Sequence, residues 1–573
     1  MKTLSSRHCP VLTRVKRHRR LAQLIEMRNA VRKVLSPFLL VAAWLISPLA
    51  WSQHSPTEIQ AVIARGELGA LQRPKFPSYR SELDRFYGPI AYEPAWFDGD
   101  APRKQANDAV HLLADAKAQG LDPADYDAPW LQARLEVAAR TRLPPGEHAQ
   151  LDAALTIAVF RYLTDLHRGR IDPRSLGWAL DVAPKRSYDL SSVLRDAMAR
   201  DALTAMVAEA EPRLPIYQRL KTTLAAYRRL AQDASLRPLP EQETLQPNQP
   251  YEATTALAHL LAALGDLPVG TQVAPDRYDG ALVAGVKRFQ DRHGLRSDGV
   301  LGKATIAQLN VPLTRRVRQI ELALERLRWL PDLPPGPVVA VNVPSFKLWA
   351  FNDPRQPGSA DLETNVVVGR ATPTPTPVFM QDMRYVEFSP YWNVPPSILR
   401  KEMIPRLRRD PGYLTREDLE FVGRDGKAST EVSDVTLAGA LAGQLRLRQR
   451  PGLKNALGGI KFVLPNAMNI YLHSTPAQAL FDRPRRDFSH GCIRVAAAVA
   501  LARFVLSDKA EWTQARIEEA MASGRRQTAQ LSQPIPVVIF YSTVVVERDG
   551  SVLFPPDIYG YDPTLERALA ART

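Results

Sequence analysis

The chain is 573 residues long, with 45% apolar residues, 48 prolines and a net charge of +15. That length gives room for three or four domains, and the proline content points to linkers and long loops. Ten Lys/Arg and a single acid, Glu26, fall within the first 52 residues. The rest is too mildly basic, and too poor in aromatic–basic repeats, for a nucleic-acid-binding protein, although a weakly basic face suits an anionic polymer.

Arg28, Arg32 and Lys33 precede SPFLLVAAWLISPLA, an apolar run that is short and interrupted by proline. This is the pattern of an export signal, and Ala50-Trp51-Ser52 offers a cleavage site that would leave Gln53 first. Met27 is an alternative start, and an uncleaved membrane anchor is the alternative to cleavage. The only cysteines are Cys9 and Cys492, so cleavage leaves Cys492 alone and unable to form an intramolecular disulfide. A free thiol kept in an oxidising compartment points to chemistry.

Residues 53–235 read as a helical scaffold. DAVHLLADAKAQGLDPADYD places apolar residues at helical spacing, then Gly120 as a C-cap and Asp122-Pro123 as a new start. LDAALTIAVFRYLTDLHRGRIDP repeats that logic before Gly169. Residues 236–252, LRPLPEQETLQPNQPYE, read as a linker. Residues 253–312 are predicted to form a small three-helix domain, with VKRFQDRHGL and DGVLGKAT around a glycine turn; His293 reads as a helix-end packing residue. TRRVRQIELALERLRWL, within residues 313–336, is an amphipathic helix with Val317, Ile320, Leu324 and Leu327 on one side, returning the chain to the scaffold.

From residue 337 to 573 the pattern turns β-rich: VVAVNVPSFKLWAF, TNVVVG, MRYVEFSPYWNVP, KFVLP and NIYLHS. Arg548-Asp549-Gly550 signals a hairpin. Between residues 396 and 456 the β pattern stops, and SILRKEMIPRLRRD and TREDLEFV read as helices. A helical insertion between two strands is either a surface excursion or a cap over one face of the core. The fold class is therefore multi-domain α+β.

The chemistry concentrates in Asn469–Val495. NIYLHS reads as a strand ending at His473, and IRVAAAVALARFVLSD as a helix, which would put Cys492 at a helix N-terminus where the dipole favours a thiolate. Gly491 allows a sharp turn, and the N–H groups of Gly491 and Cys492 are candidate oxyanion donors. A cysteine with His473 and His490 nearby suits a cysteine acyltransferase or hydrolase. Two other readings stay open. Cys492 can be an inert buried residue, or Cys492, His473 and His490 can be three ligands of a catalytic metal.

HST from His473, followed by SHGCIRV from Ser489 to Val495, closely resembles the signature of L,D-transpeptidases with the YkuD-type catalytic domain. Trp96-Phe97, GLDP from Gly120 and LHRGRIDP from Leu166 resemble the scaffold of the large, multi-domain, YcbB-like branch. The phrase FQ-x-x-HGL-x-x-DG-x-x-G-x-x-T resembles a peptidoglycan-binding domain. The resemblance implies Cys492 as nucleophile, His473 as general base oriented by the Ser474 carbonyl, and Tyr471 as an added donor. It implies that His490 lines the site and that Arg494 either braces the loop or holds a substrate carboxylate. Ser489 and Thr475 are expected to hydrogen bond behind these groups. Gly369–Pro377 resembles the loop leading into the substrate groove, and the 396–456 insertion a lid.

The implied reaction cleaves a peptidoglycan stem tetrapeptide after its third residue and transfers the acyl group to the side-chain amine of another third residue. No metal or organic cofactor is implied. Alternatives are an L,D-carboxypeptidase, with water as acceptor, and a non-catalytic wall-binding protein. The expected partners are peptidoglycan stem peptides and other cell-wall synthesis proteins, not nucleic acid, with membrane contact only through an uncleaved anchor. The expected location is the periplasm.

Overall fold

The computed structural model describes residues 57–178, 188–241, 243–356 and 360–572. The segment that the sequence reads as an export signal, 1–52, lies outside them. Among the described residues, no helix is long and apolar enough to cross a membrane.

The scaffold is built around α1 (Pro145–Arg168), whose residues are almost all buried from Ala149 to Leu166. Being apolar on every face, α1 has to be wrapped by other helices. Several of its polar groups share one network. Asp152 accepts from Tyr87 Oη at 2.6 Å and from the backbone N–H of Trp96 at 2.8 Å, and Trp96 Nε1 donates to Thr156 at 2.8 Å. Buried polar groups left without partners would cost about 1–3 kcal/mol each, so this network locks Trp96 to α1.

Further along come α2 (Pro215–Leu230), the module helices α3 (Thr254–Ala263), α4 (Gly280–Arg292) and α5 (Lys303–Leu309), and then α6 (Leu313–Arg328). Leu257, Leu261, Tyr278, Val286, Phe289 and Ile306 fill a core of the module's own. The stretch read as a linker is packed onto this module. Leu239 is buried, and Asn310 takes its N–H at 2.7 Å and its carbonyl at 2.8 Å. As its periodicity predicts, α6 packs Ile320, Leu324 and Leu327 against Tyr217, Leu220 and Leu224 of α2. His293 is indeed a packing residue, stacked on Phe289 at 3.8 Å and on Phe554 at 5.6 Å. Arg316 lies 4.7 Å over the same Phe554 ring.

The C-terminal region holds a nine-stranded sheet: β1 (Val338–Asn342), β2 (Lys347–Phe351), β3 (Leu362–Gly369), β4 (Phe379–Phe388), β5 (Ile460–Val463), β6 (Leu472–His473), β7 (Asp487–Ser489), β8 (Ile493–Val495) and β9 (Gln527–Phe540). Its order is β7-β3-β8-β6-β5-β4-β9-β1-β2, and an additional β2–β3 pairing closes it on itself. The inward residues are apolar, among them Val339, Val341, Val366, Val386, Phe462, Leu472 and Ile493.

Two sequence expectations are corrected. The run after Cys492 does not begin as a helix: Ile493–Val495 is strand β8, between β6 and β3, and α7 starts only at Ala498 and ends at Val505. Ile493 and Val495 are wholly buried, and these β-branched side chains suit a pleated core position better than a helix start. The insertion, in turn, is not helical throughout. Leu419–Val422 of TREDLEFV is a strand, paired with Arg446–Gln449, which also pairs Trp392–Asn393. Leu419 and Phe421, with Leu447, join Leu399, Leu407 and Leu414 in a separate cap core, which helical periodicity alone does not reveal.

Candidate active site

The pairing of β6 with β8 sets the site. Their parallel register aligns Leu472 with Ile493 and His473 with Arg494. Side chains alternate along a strand, so Leu472 and Ile493 enter the core while Tyr471, His473, Cys492 and Arg494 share the opposite face. The row continues through β5, where Lys461 is aligned with His473, and into β4, where Glu387 is aligned with Lys461. All four shared-face residues, with Lys461, Ser489 and His490, line a cavity of about 630 Å³. Its other wall comes from Tyr391–Ile398, the strand end and first turn leading into the cap. The start of the insertion therefore faces Tyr471, His473, Cys492 and Arg494 across the cavity.

His473 is buried, and its Nδ1 donates to the Ser474 carbonyl at 2.6 Å. A carbonyl only accepts, so Nδ1 carries the proton and Nε2 keeps its lone pair. Burial, then the Arg494 charge, push the imidazole down to about 3, so it is neutral throughout the physiological range. Ser474 Oγ donates to the Leu457 carbonyl at 3.1 Å and accepts from Ile460 N–H at 3.0 Å, which fixes the residue that orients His473.

Cys492 is half-buried, and its Sγ donates to the Asn469 carbonyl at 3.6 Å. Its thiol is pushed up by burial, an effect opposed by the backbone N–H and hydroxyl of Tyr471. This reverses the sequence expectation of a dipole-stabilised thiolate, because no helix begins at Cys492. No hydrogen bond joins Cys492 to His473: the fold brings them into one cavity with the thiol turned to Asn469. The resting pair is thus thiol and neutral imidazole. The alkylation rate of Cys492 by iodoacetamide is expected to keep rising with pH to about 9, without a plateau near neutrality. Rates measured from pH 5 to 10 check this, since a preformed thiolate–imidazolium pair gives a plateau instead.

The turn before β8 is braced from several sides. Gly491 has φ 109°, in the region that favours glycine, and an added Cβ would meet Ile470 at 3.3 Å. Its N–H, the candidate oxyanion donor of the sequence, donates to Ser489 Oγ at 3.2 Å. Ser489 Oγ in turn donates to the Cys492 carbonyl at 2.5 Å. Thr376 Oγ1 donates to the Gly491 carbonyl at 2.8 Å, and Arg370 N–H to the Ser489 carbonyl at 3.0 Å. The Gly369–Pro377 loop therefore acts on the site by holding the turn before Cys492. Thr475, expected to hydrogen bond behind the catalytic groups, caps its own turn by accepting from Ala477 N–H at 3.2 Å.

His490 faces the cap, where its Nε2 donates to Glu402 at 2.6 Å. Glu402 lies in a π-helical turn, Leu399–Met403, in which Ile404 N–H bonds the Leu399 carbonyl five residues back. Pro405, unable to donate and bulky toward the preceding turn, accounts for the widening. His490 is turned to Glu402 and away from the other two metal ligands considered from sequence. Among the described residues, no group of three His, Cys, Asp or Glu is placed to hold a metal ion.

Sequence reasoning missed three contributors. Asn466 accepts from Ile470 N–H at 3.1 Å and donates to the Leu464 and Ile470 carbonyls, shaping the turn that presents the Asn469 carbonyl to Cys492. The Pro465-Asn466 pair was the available turn signal. Lys461 sits 4.4 Å over the Tyr471 ring and 3.6 Å from Glu387. Its position in KFVLP, a lone cation within a strand, was the available signal for it. For Glu402, 88 residues from its partner, no sequence signal existed.

Residues 336–539 match the family model described as L,D-transpeptidase catalytic domain (YkuD). Residues 81–224 match the Scaffold domain, and residues 251–309 a model described as “Putative peptidoglycan binding domain”. A Haemophilus influenzae protein named “Putative L,D-transpeptidase” is 33% identical over 251 residues, or 44% of this chain and 49% of that protein. The chain thus spans about half the length of the curated relative it matches. A crystal structure of the L,D-transpeptidase from Xylanimonas cellulosilytica is 16% identical, covering 53% of this chain and all of that one, with a TM-score of 0.16.

Proposed function

The chain carries a YkuD-type L,D-transpeptidase catalytic domain and a peptidoglycan-binding domain, and from that premise we propose that it cross-links peptidoglycan stem peptides in the periplasm through a cysteine acyl-enzyme. The observation that supports this best is the single sheet face on which Tyr471, His473, Cys492 and Arg494 meet one cavity.

In this reading the donor is a tetrapeptide stem whose last peptide bond lies over Cys492. Sγ leaves the Asn469 carbonyl and attacks the third residue's carbonyl carbon while His473 Nε2 takes its proton. With Gly491 N–H committed to Ser489, the oxyanion is served by Cys492 N–H and the Tyr471 hydroxyl. His473 then delivers the proton to the leaving amine, and the terminal residue departs. The side-chain amine of a second stem attacks the thioester, losing its proton to His473, and restores the thiol.

Water competes with that amine, so the cap has a direct role. It walls the cavity and is tied to the nucleophile's turn by the His490–Glu402 hydrogen bond. Mass spectrometry of muropeptides after incubation with purified protein tests the reading. Cross-linked dimer lacking the donor's terminal residue is the expected main product, and Glu402→Ala is expected to raise the share of hydrolysed tripeptide severalfold. Tripeptide alone from the wild type indicates an L,D-carboxypeptidase, and no product at all a wall-binding protein without activity.

A further inference from the structure

The backbone from Gly491 to Ile493 leaves one polar group over. Gly491 N–H and the Cys492 carbonyl are both held by Ser489 Oγ, the Gly491 carbonyl by Thr376 Oγ1 at 2.8 Å, and Ile493 N–H by the Tyr471 carbonyl at 3.1 Å. Among the described residues, Cys492 N–H alone in this run has no acceptor. Its direction is fixed all the same. The Gly491–Cys492 peptide is trans, so its N–H points opposite to its C=O. Thr376 is wholly buried and stands outside the cavity that Cys492 lines. A carbonyl pinned to Thr376 therefore turns Cys492 N–H away from the core and toward the cavity.

The Thr376 hydroxyl is oriented in its turn. It accepts from Gly369 N–H at 2.8 Å, so its own proton goes to the Gly491 carbonyl. The loop folds back this closely because Gly369 has no side chain: a Cβ there would lie 2.7 Å from the Thr376 nitrogen. A residue from far along the chain holds the fold-back. Tyr559, in the turn before the C-terminal helix Tyr561–Ala570, donates its hydroxyl to the Gly369 carbonyl at 2.6 Å and takes Thr376 N–H at 3.1 Å. One hydroxyl thus bridges the two backbone segments that place Thr376. Tyr559 is itself fixed, with its N–H on Tyr541 Oη at 2.9 Å and its ring stacked on Tyr541 at 5.6 Å. Burial pushes its phenol up to about 12, so it keeps the proton that it donates.

We propose that Tyr559 is a positioning residue for the oxyanion site: through Thr376 it aims Cys492 N–H at the place where the attacked carbonyl oxygen gains its charge. This rests on the reading above. An oxyanion donor is effective because it points the right way before the charge appears and needs no reorganisation when it does. Tyr559 does not line the cavity, so its contribution falls on the step that makes an oxyanion and not on substrate binding.

The test sets two reactions of the same thiol side by side. Acylation by a tetrapeptide stem passes through an oxyanion. Alkylation by iodoacetamide displaces iodide from a CH2 carbon and does not. Tyr559→Phe keeps the ring, its stacking on Tyr541 and the backbone N–H bond. It is expected to slow acylation at saturating stem by about 10- to 100-fold, short of the roughly 10²- to 10³-fold cost of losing an oxyanion donor outright. KM and the alkylation rate are expected to stay at the wild-type level, the pattern of an interaction made only in the transition state. Thr376→Val removes the hydroxyl through which Tyr559 acts and should be at least as slow, and adding Tyr559→Phe to it should cost little more. Thr376→Ser keeps that hydroxyl and should stay near wild type. Equal acylation by wild type and Tyr559→Phe overturns the proposal. So do losses of acylation and alkylation in the same proportion, or a Tyr559→Phe that does not fold, since either makes the residue merely structural, and so does an additive loss in the double variant. Should Thr376→Val fail to fold, the split between acylation and alkylation in Tyr559→Phe decides alone. If iodoacetamide labels the wild type but the stem never acylates it, the transpeptidase reading itself falls, and this proposal with it.

Discussion

Cys492→Ala is expected to abolish both cross-linked dimer and tripeptide, a loss on the order of 10^4-fold or more, with the fold intact. The side chain is a half-buried sulfur held by the Asn469 carbonyl at 3.6 Å and by the backbone N–H and hydroxyl of Tyr471. Alanine keeps the Cβ and leaves the β8 backbone, the Ser489 bond to the 492 carbonyl and the buried Ile493 in place. A Tm within about 4 °C of wild type is therefore expected alongside the lost chemistry. Iodoacetamide should inactivate the wild type while a chelator should not. Near-normal dimer formation by Cys492→Ala would remove the nucleophile from the mechanism, and inactivation by chelator would return it to the metal reading. Muropeptide mass spectrometry and a melting curve on the same samples separate loss of activity from loss of fold.

His473→Ala is expected to lower kcat/KM by about 10²- to 10⁴-fold, the range for a lost general base. Because the Cys492 thiol is raised by burial, it has no standing thiolate to fall back on, and the variant must rely on hydroxide. Its residual activity should therefore climb with pH. In the wild type, His473 is pushed down to about 3, so it stays unprotonated as pH falls to about 5, and the base itself imposes no acid limb there. His490→Ala should cost much less acylation, since its Nε2 is engaged by Glu402 in the cap. A larger defect at His490 in stopped acylation assays would mean the roles are reversed.

What the sequence carried most faithfully was local. The helical spacing of α6, the glycine turn of the module and the order His473, Ser489, His490, Gly491, Cys492 all point to what the structure holds. What failed was the step from composition to secondary structure at positions settled by tertiary contacts. IRVAAAVAL has good helix formers, but Ile493 and Val495 are claimed by the core between β6 and β3, so the strand wins and the dipole argument for Cys492 fails with it. LEFV was hidden in the same way, because its partner, Arg446–Gln449, lies outside any local window. Gly491 N–H looked available because nothing in SHGC says that the Ser489 hydroxyl turns back to take it. Ionisation was the least legible property. The thiol is set by burial and by Tyr471, just before β6, and the imidazole by burial and by Arg494 of the neighbouring β8.

The peptidoglycan-binding module does not hang on a tether. Arg292 spans Asp266 of the module and the Val552 carbonyl, its own carbonyl takes Phe554 N–H at 2.8 Å, and Phe554 is sandwiched by His293 and Arg316. The stretch leading into the module is fastened as well, through Leu239 and Asn310. A binding module on a loose cord raises only the local concentration of its cargo, and lengthening the cord beyond the span it must cover weakens it. One clamped to the catalytic body works as a gauge. Under the proposed function, a glycan gripped by the module would present its stems to Cys492 at a single offset, so cross-links would be laid at a set stride from the grip and not wherever diffusion allowed.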